Sequence, residues 1–98
     1  MAEFEGVPTS LSSVYPRRAM RIADRLVDGE LVLYDPDEQR LHVLNPTAGL
    51  IWRLCDGKHQ ASDLVETLVD RYPRNRTAIE EDVPRIIERF RSEGLLQS

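Results

Sequence analysis

The residues of this chain that could carry chemistry are few, and their spacing does not suit catalysis. Cys55 is the only cysteine, so no internal disulfide can form, and His42 and His59 have no further ligands at the spacing of a metal site. No nucleophile is paired with a base, and there is no glycine-rich loop for phosphate. The sequence therefore predicts no catalytic residue, no metal and no cofactor, and we expect the protein not to be an enzyme.

Length and charge narrow the classes of partner. The 98 residues are 41% hydrophobic, which fits one small domain. Thirteen basic and seventeen acidic residues give a net charge of -4, which opposes non-specific binding to nucleic acid or to an anionic membrane. There is no long apolar run and no N-terminal targeting pattern, so we expect a cytoplasmic protein without nucleic acid or membrane partners.

The N-terminal half predicts a flexible lead-in followed by strands. Residues 1–19 contain two prolines and a serine cluster without apolar periodicity, so we expect them to be flexible and the domain to span 20–98. Three short segments at 20–27, 30–35 and 40–45 alternate as strands do. Asp28-Gly29 suits a two-residue hairpin turn, and Asp35-Pro36-Asp37 suits a type I turn. The strands are therefore predicted to pair antiparallel.

Two helices are predicted to follow the strands. Asn45-Pro46 supplies a capping side chain and a proline at the first helical position, and the first helix should end near Leu54. Trp52 recurs at helical spacing on the apolar face, which predicts a core position for it rather than an interface role. Ser62 is predicted to cap the second helix, and Pro73 to stop it.

The third helix contains a conflict. Thr77 and Glu80 fit a capping box, and an apolar stripe continues to Gly94. Pro84 then lies inside the helix, where a proline costs roughly 3 kcal/mol and favours a kink. Alternatively, the helix begins near Asp82, which places the proline in its first turn. Either way, the fold class is α+β, with a three-stranded antiparallel sheet followed by three helices.

An ordered set of short motifs resembles the PqqD-like family, the recognition elements of pathways that modify ribosomally made peptides. The resemblance covers about residues 20–97. The motifs are Leu44-Asn45, Thr47-Ala48, Ile51-Trp52, Asp56-Gly57, DLVETLVDRY, Glu81-Asp82-Val83 and Gly94-Leu95-Leu96.

This resemblance implies a winged helix-turn-helix fold without catalytic residues. It implies two partners: the leader segment of a precursor peptide, and a modifying enzyme that is often a radical S-adenosylmethionine protein. In the family the leader adds as a further strand beside the third strand, in a groove shared with the third helix. The pathway stays open among pyrroloquinoline quinone, lasso peptides and related products.

The candidate peptide-binding residues follow from that implied geometry. Alternation sends two of the strand residues to one face and two to the other, and the sequence does not say which pair joins the core. Two arginines four residues apart on the helix could bind leader carboxylates. The candidates are Arg40, Leu41, His42, Val43 and Leu44 on the strand, and Arg85, Ile86, Arg89 and Phe90 on the helix.

Two other functions fit the same architecture. A winged helix could bind DNA, but residues 77–93 contain three arginines and five acidic residues, a net charge of -2 where a recognition helix meets phosphates. A structural subunit of a biosynthetic complex would differ from a recognition element only in that no free peptide binds.

Overall fold

The computed structural model describes residues 15–97, which form a three-stranded antiparallel sheet packed on helices. The strands are β1 (Ala23–Val27), β2 (Glu30–Asp35) and β3 (Arg40–Leu44), in the spatial order β1-β2-β3. The helices are α1 (Pro46–Leu54), α2 (Ala61–Arg71) and α3 (Arg76–Ser92), with a 3₁₀ turn at Pro73–Asn75. The predicted α+β class, with strands before helices, is confirmed.

The β1-β2 hairpin has the two-residue turn that the sequence predicts. Asp28 and Gly29 have φ angles of 51° and 84°. Positive φ at both central positions defines a type I′ turn, whose twist matches that of the strands. Val27 therefore lies opposite Glu30 and closes the turn.

The β2-β3 turn is held by a buried carboxylate. Asp35 is buried at the end of β2, and its Oδ1 accepts hydrogen bonds from the backbone N–H groups of Asp37 and Glu38, at 3.0 and 3.3 Å. Its Oδ2 accepts from Arg21, at 3.2 Å. The Asp35 side chain thus holds the turn through its two backbone N–H groups. Together with Arg21 these donors satisfy the carboxylate, which needs several hydrogen bonds when it is buried.

The first two helices begin and end close to their predicted limits. The side chain of Asn45 accepts a 2.8 Å hydrogen bond from the backbone of Ala48, and Pro46 opens α1, as predicted. The predicted cap of α2 is wrong by two residues: Gln60 is the N-cap, and its backbone N–H donates to Asp63 at 2.8 Å. The Asp63 carboxylate determines where α2 begins, because it accepts from the Gln60 backbone N–H, which has no partner within the helix.

Helix α3 is continuous through Pro84, so the alternative start near Asp82 is not observed. The predicted capping box at Thr77 is also wrong, because the helix begins at Arg76. Arg76 bonds to Glu66 of α2 and to Glu80 of α3, each at 3.1 Å. This ion pair joins α2 to the first turn of α3.

Residues just before β1 are attached to the domain. The backbone N–H groups of Arg18 and Ala19 donate to Cys55 and Leu95, both at 2.9 Å, and Ala19 is buried. The flexible lead-in predicted for residues 1–19 is therefore not observed at its C-terminal end, and residues 1–14 lie outside the described part.

One core lies between the inner face of the sheet and the three helices. Phe90 contacts Trp52 edge-to-face, with ring centroids 5.7 Å apart, which confirms the core position predicted for the tryptophan. The Trp52 indole N–H donates to Asp24 at 3.2 Å, so its polar atom is satisfied. The other large, fully buried apolar side chains are Leu33, Ile51, Leu64, Leu68, Val83, Ile87 and Leu95.

Candidate peptide-binding site

Strand β3 is an edge of the sheet. Within residues 15–97 it pairs with β2 and with no other strand. An edge strand presents backbone N–H and C=O groups that an extended peptide can satisfy. The position of β3 therefore suits strand addition along Arg40–Leu44.

The turn geometry identifies which backbone groups of β3 are free. In a two-residue hairpin the closing pair, here Val27 and Glu30, exchanges backbone hydrogen bonds, and such pairs alternate along an antiparallel ladder. The even-numbered positions of β2 therefore bond to β1 and the odd ones to β3. The partners of Leu31, Leu33 and Asp35 on β3 are Leu44, His42 and Arg40. The free N–H and C=O groups accordingly belong to the residues between them.

Those residues are Leu41 and Val43, and their side chains also face away from the core. Leu41 is 65% exposed and Val43 57% exposed, whereas Leu44 is buried and His42 is half-buried. The question that alternation left open is thus answered: Leu44 joins the core, and His42 lies on the same side of the sheet. Arg40 is exposed at the start of the strand.

The inner side of β3 approaches the end of α3. His42 Nδ1 lies 3.6 Å from Glu93 Oε1, and Arg89 Nε lies 3.6 Å from the other oxygen of the same carboxylate. A polar cavity of about 370 Å³ opens here, between the strand and the helix end. It is lined by Arg21, Asp35, Glu38, Arg40, His42, Ser92, Glu93 and Gly94.

The predicted helix residues divide into three surface positions and one core position. Arg85 and Arg89 are exposed, and each pairs within the helix, with Asp82 and Glu93 respectively. Ile86 is half-buried and packs against the core. Phe90 is 1% exposed, so its side chain lies in the core and offers no surface to a peptide. Helical periodicity predicts that Phe90 lies on the apolar stripe of the helix, but it does not say whether a residue of that stripe lines the groove or lies in the core.

The model of the family described as coenzyme PQQ synthesis protein D (PqqD) matches residues 30–96. This chain belongs to the PqqD family. The match begins at β2 and runs through α3, so it includes the edge strand and the helix that borders the cavity. No curated protein matches the chain.

Two solved structures share the PqqD fold of this chain. One is described as lasso peptide synthetase B1 complexed with the leader peptide; it is 29% identical, the alignment covers 86% of this chain and 99% of that one, and the TM-score is 0.73. The other is described as TbiB1 in complex with the TbiA(beta) leader peptide, at 18% identity, with coverages of 84% and 95% and a TM-score of 0.73.

Cys55, Asp56 and His59 lie together at the end of α1 and in the loop that follows it. Cys55 is fully buried, and burial raises the pKa of its thiol to about 12, so almost no thiolate forms at neutral pH. Asp56 accepts from the Lys58 backbone at 2.8 Å and lies 2.9 Å from His59 Nδ1; these contacts lower the pKa of the Asp56 carboxyl. Both sets of contacts stabilise the loop after α1.

Two classes of feature are not found in the described residues. From 15 to 97, no three histidine, cysteine or acidic side chains cluster as metal ligands. None of the helices in this part of the chain is long and apolar enough to cross a membrane.

Sequence reasoning missed one set of surface residues near the site. Val32 and Tyr34 on β2 lie directly beside Val43 and Leu41 on the outer side of the sheet. The signal was present, since both strands alternate with period 2 and the turn after Asp35 joins them as a hairpin. The sequence did not show which face of the sheet packs against the helices.

Proposed function

We propose that this protein is a non-catalytic recognition element for a ribosomally made precursor peptide. The leader of the precursor adds as a strand to the free edge of β3, and the protein presents it to a modifying enzyme. The observation that carries the proposal is the outward backbone of Leu41 and Val43 on an unpaired edge of a PqqD-family fold. Support comes from two structures of the same fold described as leader-peptide complexes.

Backbone pairing sets the register of the leader but does not supply enough free energy. Two residues with outward groups offer four hydrogen bonds, at about 1 kcal/mol each. Association costs at least about 4 kcal/mol in lost translational and rotational freedom, which offsets this gain. Pairing therefore holds the peptide only when side chains add to it.

Burial of apolar leader side chains supplies the remainder. Micromolar affinity requires about 8 kcal/mol, and a buried Leu, Ile or Phe contributes roughly 1.5–3 kcal/mol. Leader residues opposite Leu41 and Val43 would place their side chains beside those two, while the residue between them would point toward His42 and the helix. The proposal thus assigns alternate leader positions to the two faces of the sheet.

The groove end near Glu93 suits polar leader groups. Arg40 is exposed there, and among the described carboxylates none lies within 4.0 Å of it. A leader carboxylate at this end would therefore gain a cation without displacing an existing partner. Exposed charge pairs contribute about 0.2–1 kcal/mol, so this contact orients the peptide more than it holds it.

Amide exchange tests the strand-addition proposal residue by residue. In the free protein we expect the Leu41 and Val43 amides to exchange fast and those of His42 and Leu44 slowly, because only the N–H groups of His42 and Leu44 are hydrogen-bonded to β2. Adding the leader of the cognate precursor should protect the first two and leave the others nearly unchanged. If leader binding leaves Leu41 and Val43 unprotected, the peptide does not add to this edge.

A further inference from the structure

The outer face of the sheet is an apolar surface that leader binding at the β3 edge leaves largely unused. By alternation, this face consists of Ala23, Arg25 and Val27 of β1, Glu30, Val32 and Tyr34 of β2, and Leu41 and Val43 of β3. The helices pack on the opposite, inner face.

The apolar residues of the outer face are exposed together rather than singly. Val27 and Tyr34 are 44% and 41% exposed, and Tyr34 lies directly beside Leu41, which like Val43 is still more exposed. A hollow of about 280 Å³ extends across this face from β1 to β3, and its apolar lining includes Val27, Val32, Tyr34 and Leu41. The solvent face of an antiparallel sheet is ordinarily polar, and a contiguous apolar patch marks an interaction surface.

Two charged groups lie on this face: Glu30 at the turn end, opposite Val27, and Arg25 in the middle of β1. Arg25 is exposed on β1 opposite Val32, and within residues 15–97 no carboxylate lies within 4.0 Å of its guanidinium. A partner that covers the face gains most when it places a carboxylate opposite this arginine. The surface is thus complementary to an apolar patch that carries an acidic residue.

We propose that the outer face is the docking surface for the modifying enzyme, through an apolar patch of that enzyme with an acidic residue facing Arg25. This inference rests on the proposed function. The face is continuous with the leader edge, since Leu41 and Val43 belong to both, so a protein seated on it also reaches the bound leader. A second copy of this chain on the same face would instead crowd that edge and hinder presentation.

The test measures two affinities on the full chain: one for the leader, and one for the enzyme that modifies the cognate precursor. Ala23→Lys/Val27→Lys should lower enzyme affinity at least about tenfold and leave leader affinity unchanged, because both residues lie on β1, which β2 separates from the leader edge. Arg25→Glu should weaken enzyme binding as well, with little structural effect at an exposed position. Leu26→Ser is the matched control, since Leu26 is 61% exposed on the opposite side of β1.

Thermal unfolding identifies any variant that fails to fold, and Arg25→Glu then carries the test. Unchanged enzyme affinity in the folded variants would overturn the inference. It would equally be overturned if leader affinity fell in parallel, or if sedimentation showed a wild-type dimer that the double variant dissociates. Failure of the proposed function looks different, because the unmodified chain would then not bind the leader at all.

Discussion

His42 on the edge strand and Glu93 at the end of α3 lie 3.6 Å apart, measured from Nδ1 to Oε1, and this contact joins the two elements that border the candidate groove. The same carboxylate lies 3.6 Å from Arg89. Charged and polar groups thus lie between strand and helix at this end, whereas apolar side chains pack deeper in the core. Substitutions here should change peptide binding more than stability.

Removal of a single outward N–H should weaken leader binding. Val43→Pro deletes the N–H that points away from β2, and proline is tolerated on an edge strand when that group faces solvent. We expect the protein to stay folded and leader affinity to fall by about tenfold, because one hydrogen bond is lost and the ring obstructs the next strand. Isothermal titration calorimetry measures the affinity.

The neighbouring position provides the control for that variant. His42→Pro removes an N–H that bonds to β2, so it should destabilise the sheet itself. If Val43→Pro unfolded the protein while His42→Pro did not, the inferred hydrogen-bonding register would be shifted by one residue.

Charge reversal on α3 should weaken binding of leaders that carry carboxylates. Arg85→Glu/Arg89→Glu replaces two exposed cations and places like charges near Asp82 and Glu93. We expect a threefold to tenfold loss of affinity, as an order of magnitude for exposed pairs, and the loss should shrink at high salt. Titrations at two salt concentrations measure it.

Arg91→Glu is the matched control for the helix charges. It breaks a similar pair, with Glu88, but lies roughly 200° around the helix from Arg89. A free-energy loss in Arg91→Glu about half that of the double variant would mean that net charge, not the groove, determines the effect, because it reverses one arginine and the double variant reverses two.

Substitution of Phe90 should affect stability rather than recognition. Phe90→Ala removes a buried ring that contacts Trp52, and should lower the free energy of unfolding by about 3–5 kcal/mol in a urea titration. Phe90→Leu should be milder and leave leader affinity within about twofold. A large loss of leader affinity in a stable Phe90→Leu protein would instead indicate that Phe90 contributes to the peptide-binding site.

The buried carboxylate of Asp35 should make the fold sensitive to acid. Burial alone would raise its pKa, but the hydrogen bond from Arg21 and those from the Glu38 and Asp37 backbone hold the pKa below the ordinary value of 3.8. The ionised form therefore stabilises the fold above about pH 3.8, and this contribution is lost as pH falls through the lowered value.

Asp35→Asn tests that linkage. The variant should have a lower Tm than the wild type at pH 7, and the difference should narrow as the pH falls through the lowered pKa of Asp35, where the wild-type carboxyl becomes protonated. Thermal unfolding across this range measures both. A constant difference at all pH values would mean that lost packing, not lost charge, causes the effect.

The sequence by itself determined the elements, their order and the register of the first hairpin. Asp28-Gly29 selects a I′ turn, and Asn45-Pro46 starts α1, because each acts on backbone within a few residues of itself. The same local chemistry made β3 the last strand, next to a helix, and therefore a candidate edge. The family motifs between Leu44 and Leu96 lie on these elements.

Tertiary structure alone decided which side of each element faces the core. Alternation separates Leu41 and Val43 from His42 and Leu44, but period 2 is symmetric, and only packing against the helices buries Leu44. A helical stripe likewise does not say which of its members lie deepest, so Phe90 proved to be core. Contacts such as His42 with Glu93 join residues far apart in sequence, and no local pattern encodes them.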